Sequence, residues 1–524
     1  VASKAIALAD QFQNEPRLAA ALLSHVVTAT RGVEDPDDAA DEDNGDEGSF
    51  DDRPVDDRPA VAGDLHRQAL EALDRLVSAH GDLTGAHMFR ASTPEEAVEQ
   101  IIGVLRESAD PDLSDLLEMV ARARVPAGML ALPLAKTYTE VLVHRAAGQL
   151  VSIPLDDNES ELDVAAAREF LGSRVVVDLT SLLVLGTLDD TDGILGSFGQ
   201  LLTTREAQDD VLRAVVSVQS LAASPGSIGW NTKSGRPWIR EHTEAQYRLV
   251  RERTAMIENL ARRATVRTQR APVFPREVNA GIAHSPWVAA IELAAHEKVA
   301  LWCDDLAVRR LARSVNVPTF STMAAVEVLT EEALTDFTPA ESVDQLVAMR
   351  ADVAARMLAE YVVDVPVTTE QVIAQALIDN WKPFGAAALT LSRPGWWQWH
   401  SDPVAELLLV YTAVREHEPD LLPQWQLAAM LGAARGLPDE TAARVLCLIA
   451  LLGWDEKFTN EPPFETVLTG CRNARVAAAQ LDGRADPLLA MPAILTTLTS
   501  MGMERSPETI QKILSTLGSD TEDD

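Results

Sequence analysis

The sequence predicts an α/β protein with a parallel-sheet core in the middle of the chain, a small α+β segment before it and an all-helical domain after it. Three observations carry that expectation. Arg174-Val175-Val176-Val177 is a short apolar run stopped by Asp178, the pattern of a strand covered on both faces. Val299-Ala300-Leu301-Trp302 stops in a similar way, one residue before the paired acids Asp304 and Asp305. Beyond those acids, Leu306, Val308, Leu311 and Ala312 fall near helical spacing, and Val315 to Phe320 returns as a second short strand, with Ser321 and Thr322 placed to cap the next helix. Carboxylates at the carboxyl ends of parallel strands stand where open α/β sheets place their ligand sites.

With 524 residues and 47% hydrophobic content, the chain is long enough for several packed domains. Its formal net charge of −35 opposes a whole-molecule field that would attract nucleic acid or an anionic membrane. No run approaches the roughly 18 apolar residues of a membrane span, and the start has no secretory pattern. Cys303, Cys447 and Cys471 share no ligand spacing, Cys303 and Cys447 lie in apolar runs and read as small core residues, and the cytoplasm is the expected setting. The chain begins at Val1 rather than Met, as a piece of a longer polypeptide would.

In chain order, residues 1–33 read as a helical segment. Residues 34–63 read as a disordered acidic linker, because Glu34 to Asp57 holds thirteen Asp or Glu and almost nothing to bury. Residues 64–171 read as a small α+β module: Thr93-Pro94-Glu95-Glu96 starts a helix, and Leu150 to Leu155 is a short strand that its Pro confines to an edge or an end. No catalytic spacing occurs in it. Residues 172–332 form the expected α/β domain. There Gly199 to Leu202 is a weak strand, Thr203 to Leu212 a helix with acids partway along, Ala222 to Pro237 a loop, and Glu241 to Arg270 a long basic helix. Ser285 to Lys298 is a further helix leading into Val299. Residues 333–517 read as all-helical, studded by Trp381, Trp396, Trp397, Trp399, Trp425 and Trp454, whose density fits core packing better than a cofactor site. Residues 518–524 are an acidic tail.

The strand-Asp, helix-with-acids, strand-Asp-Asp order from Ser173 to Leu329 resembles the PIN domain family of metal-dependent nucleases. The resemblance rests on VVVDLTSLLVL and LWCDDLAVRRLARSVNVPTFSTMAAVEVL and spans about a third of the chain. It is similar to PIN modules carried by large bacterial polypeptides of conflict or toxin systems. What it implies is a metal-dependent endoribonuclease hydrolysing RNA phosphodiesters. Asp178 matches the first acid, with Thr180 as the accessory hydroxyl two residues on. Asp210, or Asp209 beside it, falls where the second acid is expected. Asp305 matches the acid after the later strand, Asp304 is its neighbour, and Thr322 stands where a small hydroxyl follows the last strand. The remaining family acid should precede the helix carrying Val288, and that position holds Ser285 instead.

Carboxylates brought that close repel, so one would protonate unless Mg2+ or Mn2+ neutralised the group. A cation held by Asp178, Asp210 and Asp305 could activate water and stabilise a leaving oxygen. Asp178 has a plainer role open to it as a helix cap, which needs no catalysis. Lys233 to Arg276 carries eleven Lys or Arg against four Glu. Arg248, Arg251, Arg262, Arg263, Arg309 and Arg310 are therefore the candidates for RNA-backbone contact, against the alternative of an ordinary solvated face. A worn nuclease fold serving as a platform, with the helical half binding a protein partner, is the competing expectation. No zincin helix, phosphate loop or nucleophile elbow is present.

Overall fold

Five parallel strands make the central sheet of the computed structural model, in the order Thr265–Arg267, Gln200–Thr204, Arg174–Val177, Ala300–Trp302 and Thr319–Phe320. The structure describes residues 2–11, 58–80, 113–144, 150–221, 226–231, 235–241, 243–274, 284–333, 339–452, 464–480, 486–500 and 506–519, with isolated residues between 16 and 27 and between 93 and 103. The acidic stretch 34–57 and residues 520–524 lie outside the described residues.

Helices α1 (Ala2–Gln11) and α2 (Arg58–His80) come first, and α2 begins inside the expected linker. The segment before the sheet holds α3 (Ser114–Ala121), a 3-10 turn (Ala127–Leu130), α4 (Tyr138–His144), β1 (Leu150–Val151) and α5 (Asp157–Phe170). Next come β2 (Arg174–Val177), α6 (Leu179–Leu185), α7 (Thr191–Gly196), β3 (Gln200–Thr204) and α8 (Arg205–Leu221). The hairpin β4 (Gly226–Asn231) and β5 (Arg236–Glu241) leads to α9 (Glu244–Ala261) and β6 (Thr265–Arg267). The sheet closes through α10 (Pro286–Glu297), β7 (Ala300–Trp302), α11 (Leu306–Ser314), β8 (Thr319–Phe320) and α12 (Thr322–Ala333).

Central β2 is apolar throughout its last three residues because neighbours flank it on both sides. Val176 pairs with Leu202 of β3 and with Leu301 of β7, and all three are buried. Helix α10 lies against β2, β3 and β7, while α5 lies against β8 and α12. Two parts of the region differ from expectation. Gly226–Asn231 and Arg236–Glu241 pair as antiparallel strands, overlapping the Ala222 to Pro237 stretch expected as a loop from its Gly, Ser and Pro content. The long basic helix ends at Ala261, and Thr265 to Arg267 becomes an edge strand beside β3.

Beyond the sheet, α13 (Pro339–Ala359) is followed by β9 (Val362–Val363), which pairs in parallel with β1. That two-stranded sheet ties the segment preceding the core to the helical half. Helices from α14 (Thr369–Ile378) to α22 (Pro507–Ser519) complete the chain. Trp381, Trp396, Trp397 and Trp425 are buried in it, and the indoles of Trp397 and Trp425 donate to the carbonyls of Leu391 (2.9 Å) and Trp381 (3.0 Å). They are packing residues. Trp454 lies outside the described residues. One apolar core runs without a break from Val120 to Leu517, across the boundary expected near residue 332.

Candidate functional site

Parallel pairing fixes where the acids arrive. Val177 pairs with Trp302, so Asp178 and the Cys303-Asp304-Asp305 run leave the sheet side by side at its carboxyl edge. Asp210 comes to the same region from the second turn of α8, directly after β3. Three of the predicted acids, far apart in sequence, therefore surround one place. All are buried, with 2%, 3% and 4% exposure for Asp178, Asp210 and Asp305.

The hydrogen bonds show what occupies that place. Asp178 caps its own helix: its Oδ2 accepts from the Thr180 amide (3.0 Å) and hydroxyl (2.7 Å). Asp305 caps α11 through Oδ1, which accepts from the Ala307 and Val308 amides (2.9 and 3.3 Å). Its Oδ2 accepts from the Ala127 amide at 2.7 Å, the first residue of the 3-10 turn. Asp210 accepts from the Tyr138 amide (3.1 Å) on Oδ1 and from the Thr139 amide and hydroxyl (both 2.8 Å) on Oδ2. Asp210 thus caps α4 from another helix, satisfying orphan amides and meeting the positive end of its dipole.

Tyr138 completes the closure. Its amide is held by Asp210, while its hydroxyl donates to Asp178 Oδ2 at 3.4 Å, so the side chain spans the space between those two acids. It is 1% exposed. Cys303 Sγ lies 3.6 Å from the same Asp178 oxygen and 3.4 Å from the Thr180 hydroxyl. Burial pushes the Cys303 thiol and the Tyr138 phenol well above their ordinary ranges, and the neighbouring acids push both further. Burial likewise raises the carboxyls of Asp178 and Asp210 and takes Asp305 up to about 6, with the Ala127 and Val308 amides pulling back.

A hard divalent cation needs several oxygens at about 2.0–2.6 Å. Here a phenol ring separates Asp210 from Asp178, and the carboxylate oxygens already serve amides and hydroxyls. Among the described residues no group of three or more His, Cys, Asp or Glu is disposed to hold a metal ion. The donor set as arranged does not fit a cation.

The other expected site residues fall elsewhere. Asp304 points into a separate buried network: its carboxylate accepts from the Ser152 hydroxyl (2.8 Å), the Thr322 amide (3.0 Å) and the Thr322 hydroxyl, and Thr322 also receives the Trp302 indole. Ser285 caps the start of α10 by position, half-buried and without a side-chain cap bond. Arg309 is fully buried, donating to the carbonyls of Cys303 and Ser152 and pairing with Asp163 at 3.1 Å, so it does not face solvent where RNA could reach it. Arg310 pairs with Glu159 at 2.7 Å, Arg262 with Glu258 at 2.5 Å, Arg263 with Asp192 at 2.5 Å, and Arg248 with Glu252 at 4.0 Å. Arg251 is exposed on α9. Sequence reasoning missed Ala127, Tyr138, Thr139 and the placement of Cys303. Thr137 to Glu140 does carry a capping pattern before an apolar helix, which was the available signal for α4.

A five-stranded parallel sheet with acids converging at its carboxyl edge defines the class: an open α/β module whose candidate site lies at the strand ends. Residues 176–314, about a quarter of the chain, match the family described as the PIN domain associated with the TPR-GreAB-C-PIN system. Residues 176–314 thus carry a PIN-domain module. No curated protein and no solved structure matches the chain. No helix among the described residues is long and apolar enough to cross a membrane.

Proposed function

We propose that this chain is a catalytically silent PIN-type module, a nuclease fold used as the hub that joins the segment before it to a helical, protein-binding half. The carrying observation is that Asp178, Asp210 and Asp305 hold the chain's own segment from Ala127 to Thr139. Ser285 at the position of a family acid supports the same reading, as does a net charge of −35, which repels RNA.

Magnitudes decide between a permanent closure and a movable one. Leu130 and Tyr138 of this segment, and Val141, Leu142 and Val143 of helix α4, which begins at Tyr138 and would have to leave with it, are all buried in the main core. At roughly 1.5–3 kcal/mol for each large apolar side chain, withdrawing them costs on the order of 10 kcal/mol. Allosteric couplings are typically about 1–3 kcal/mol. The segment is part of the fold rather than a lid. Free, buried Cys303, Cys447 and Cys471 support a reducing, cytoplasmic setting.

The second reading is a Mg2+- or Mn2+-dependent endoribonuclease of a toxin or conflict system, favoured by the convergence of three acids at one strand edge. It requires the Ala127 to Thr139 segment to leave. Incubating the full chain with single-stranded and structured RNA in Mn2+ separates the two. The silent module leaves RNA intact; cleavage that Asp178→Asn abolishes would establish the enzyme.

A further inference from the structure

The disagreement between a nuclease-type fold and a donor set that does not fit a cation has a specific cause among the named residues. Around Tyr138 stand three carboxylates from three elements: Asp178 after β2, Asp305 after β7 and Asp210 on α8. Tyr138 reaches between two of them. Its amide is tied at Asp210 Oδ1 (3.1 Å) and its hydroxyl at Asp178 Oδ2 (3.4 Å). The neighbouring main chain is anchored as well, by Ala127 on Asp305 and Thr139 on Asp210. Packing leaves little freedom to shift: a Cβ added at Gly128 would fall 2.5 Å from the Trp287 ring and 3.2 Å from the Tyr138 ring.

We infer that the Tyr138 side chain occupies the cation's place, making the acid rim an internal socket for the chain's own amides and phenol, and that clearing this one side chain opens a site for a hard divalent cation between Asp178 and Asp305. The inference rests on the silent-module reading and explains how the silence is built. Hydrogen-bond donors take over what a cation would do: each carboxylate is compensated by amides and hydroxyls that carry only partial charge. With the ring gone, two buried carboxylates would face a void, the arrangement in which a cation is most strongly favoured.

The test uses the full chain and Mn2+ alone as the probe, read by thermal melting and by the electron paramagnetic resonance signal of free Mn2+. Wild type should show no Mn2+-dependent rise in melting temperature and no loss of free signal. Tyr138→Ala should gain both, a saturable rise of a few degrees as expected for a ligand that binds only the folded state, and the double variant Tyr138→Ala/Asp305→Asn should lose them. If Tyr138→Ala does not fold, Tyr138→Val removes the ring and hydroxyl, keeps a short apolar side chain at the start of α4 and is expected to respond in the same direction. A folded Tyr138 variant that ignores Mn2+ overturns the inference, as does wild-type binding that Asp305→Asn removes. RNA cleavage by wild type would instead overturn the silent-module reading, so the two failures are distinguishable.

Discussion

Asp210 and Asp209 are adjacent, yet their surroundings give them opposite importance. Asp210 is buried and receives three donors, whereas Asp209 is about half exposed and pairs with Arg205 at 3.6 Å. Each buried donor left without an acceptor costs about 1–3 kcal/mol. Asp210→Ala should therefore lower stability by about 3 kcal/mol or more, while Asp209→Ala should change it by less than about 0.5 kcal/mol. Chemical denaturation of the two variants checks this. Asp305 makes a second prediction through pH. Its carboxyl is raised from 3.8 to about 6 in the fold, so the folded chain binds the proton more tightly than the unfolded chain. The stabilisation from that proton is complete below pH 4 and is lost as pH rises through 6. Wild type should gain stability relative to Asp305→Asn when pH falls from 7.5 to 5.5, as measured by paired melting curves; a gain in the other direction would mean that the ionised form is the one the fold prefers.

Helix α11 shows how an element can hide the role of its own residues. Arg309 and Arg310 are neighbours in sequence, and both looked available for RNA. Arg309 instead turns inward to Asp163 on α5, where Arg313 also pairs, while Arg310 lies half-exposed against Glu159. Removing Arg309 leaves buried Asp163 to Arg313 alone and takes the donor from the Cys303 and Ser152 carbonyls, so Arg309→Ala should cost about 3–5 kcal/mol. Arg310→Ala should cost no more than about 1 kcal/mol, the range of exposed pairs. Thermal unfolding of the two variants distinguishes a core group from a surface cation. Among the elements themselves, β2 and β7 were legible because a strand covered on both faces must be apolar and must end where its carboxylate begins. Strand β6 was not: Thr265-Val266-Arg267 lies at an edge, is at most half-buried and carries one apolar residue, too little to break the helical pattern before it. The hairpin was hidden because Gly, Ser and Pro mark turns and loops more strongly than they mark strands.

At the scale of the whole molecule, the sequence placed Asp178, Asp210 and Asp305 at one strand edge through a family resemblance and the rule that parallel strands share their carboxyl end. It could not show that the edge is closed. Closure depends on main-chain amides of Ala127, Tyr138 and Thr139, and every residue except proline has such an amide, so no pattern of side chains announces it. The segment that supplies them is joined onward through β1 to β9 and the helical half, and one core runs through all three parts. The acids consequently anchor the Ala127 to Thr139 segment at the carboxyl edge of the sheet. Amide hydrogen exchange on the full chain tests this most directly. In Asp210→Asn, peptides spanning Ala127 to Thr139 should exchange at least about tenfold faster than in wild type, as expected for the loss of a charge-assisted acceptor worth about 1.4 kcal/mol or more, while β2 and β7 keep their protection. Unchanged exchange across Ala127 to Thr139 in a variant whose sheet remains intact would contradict the account.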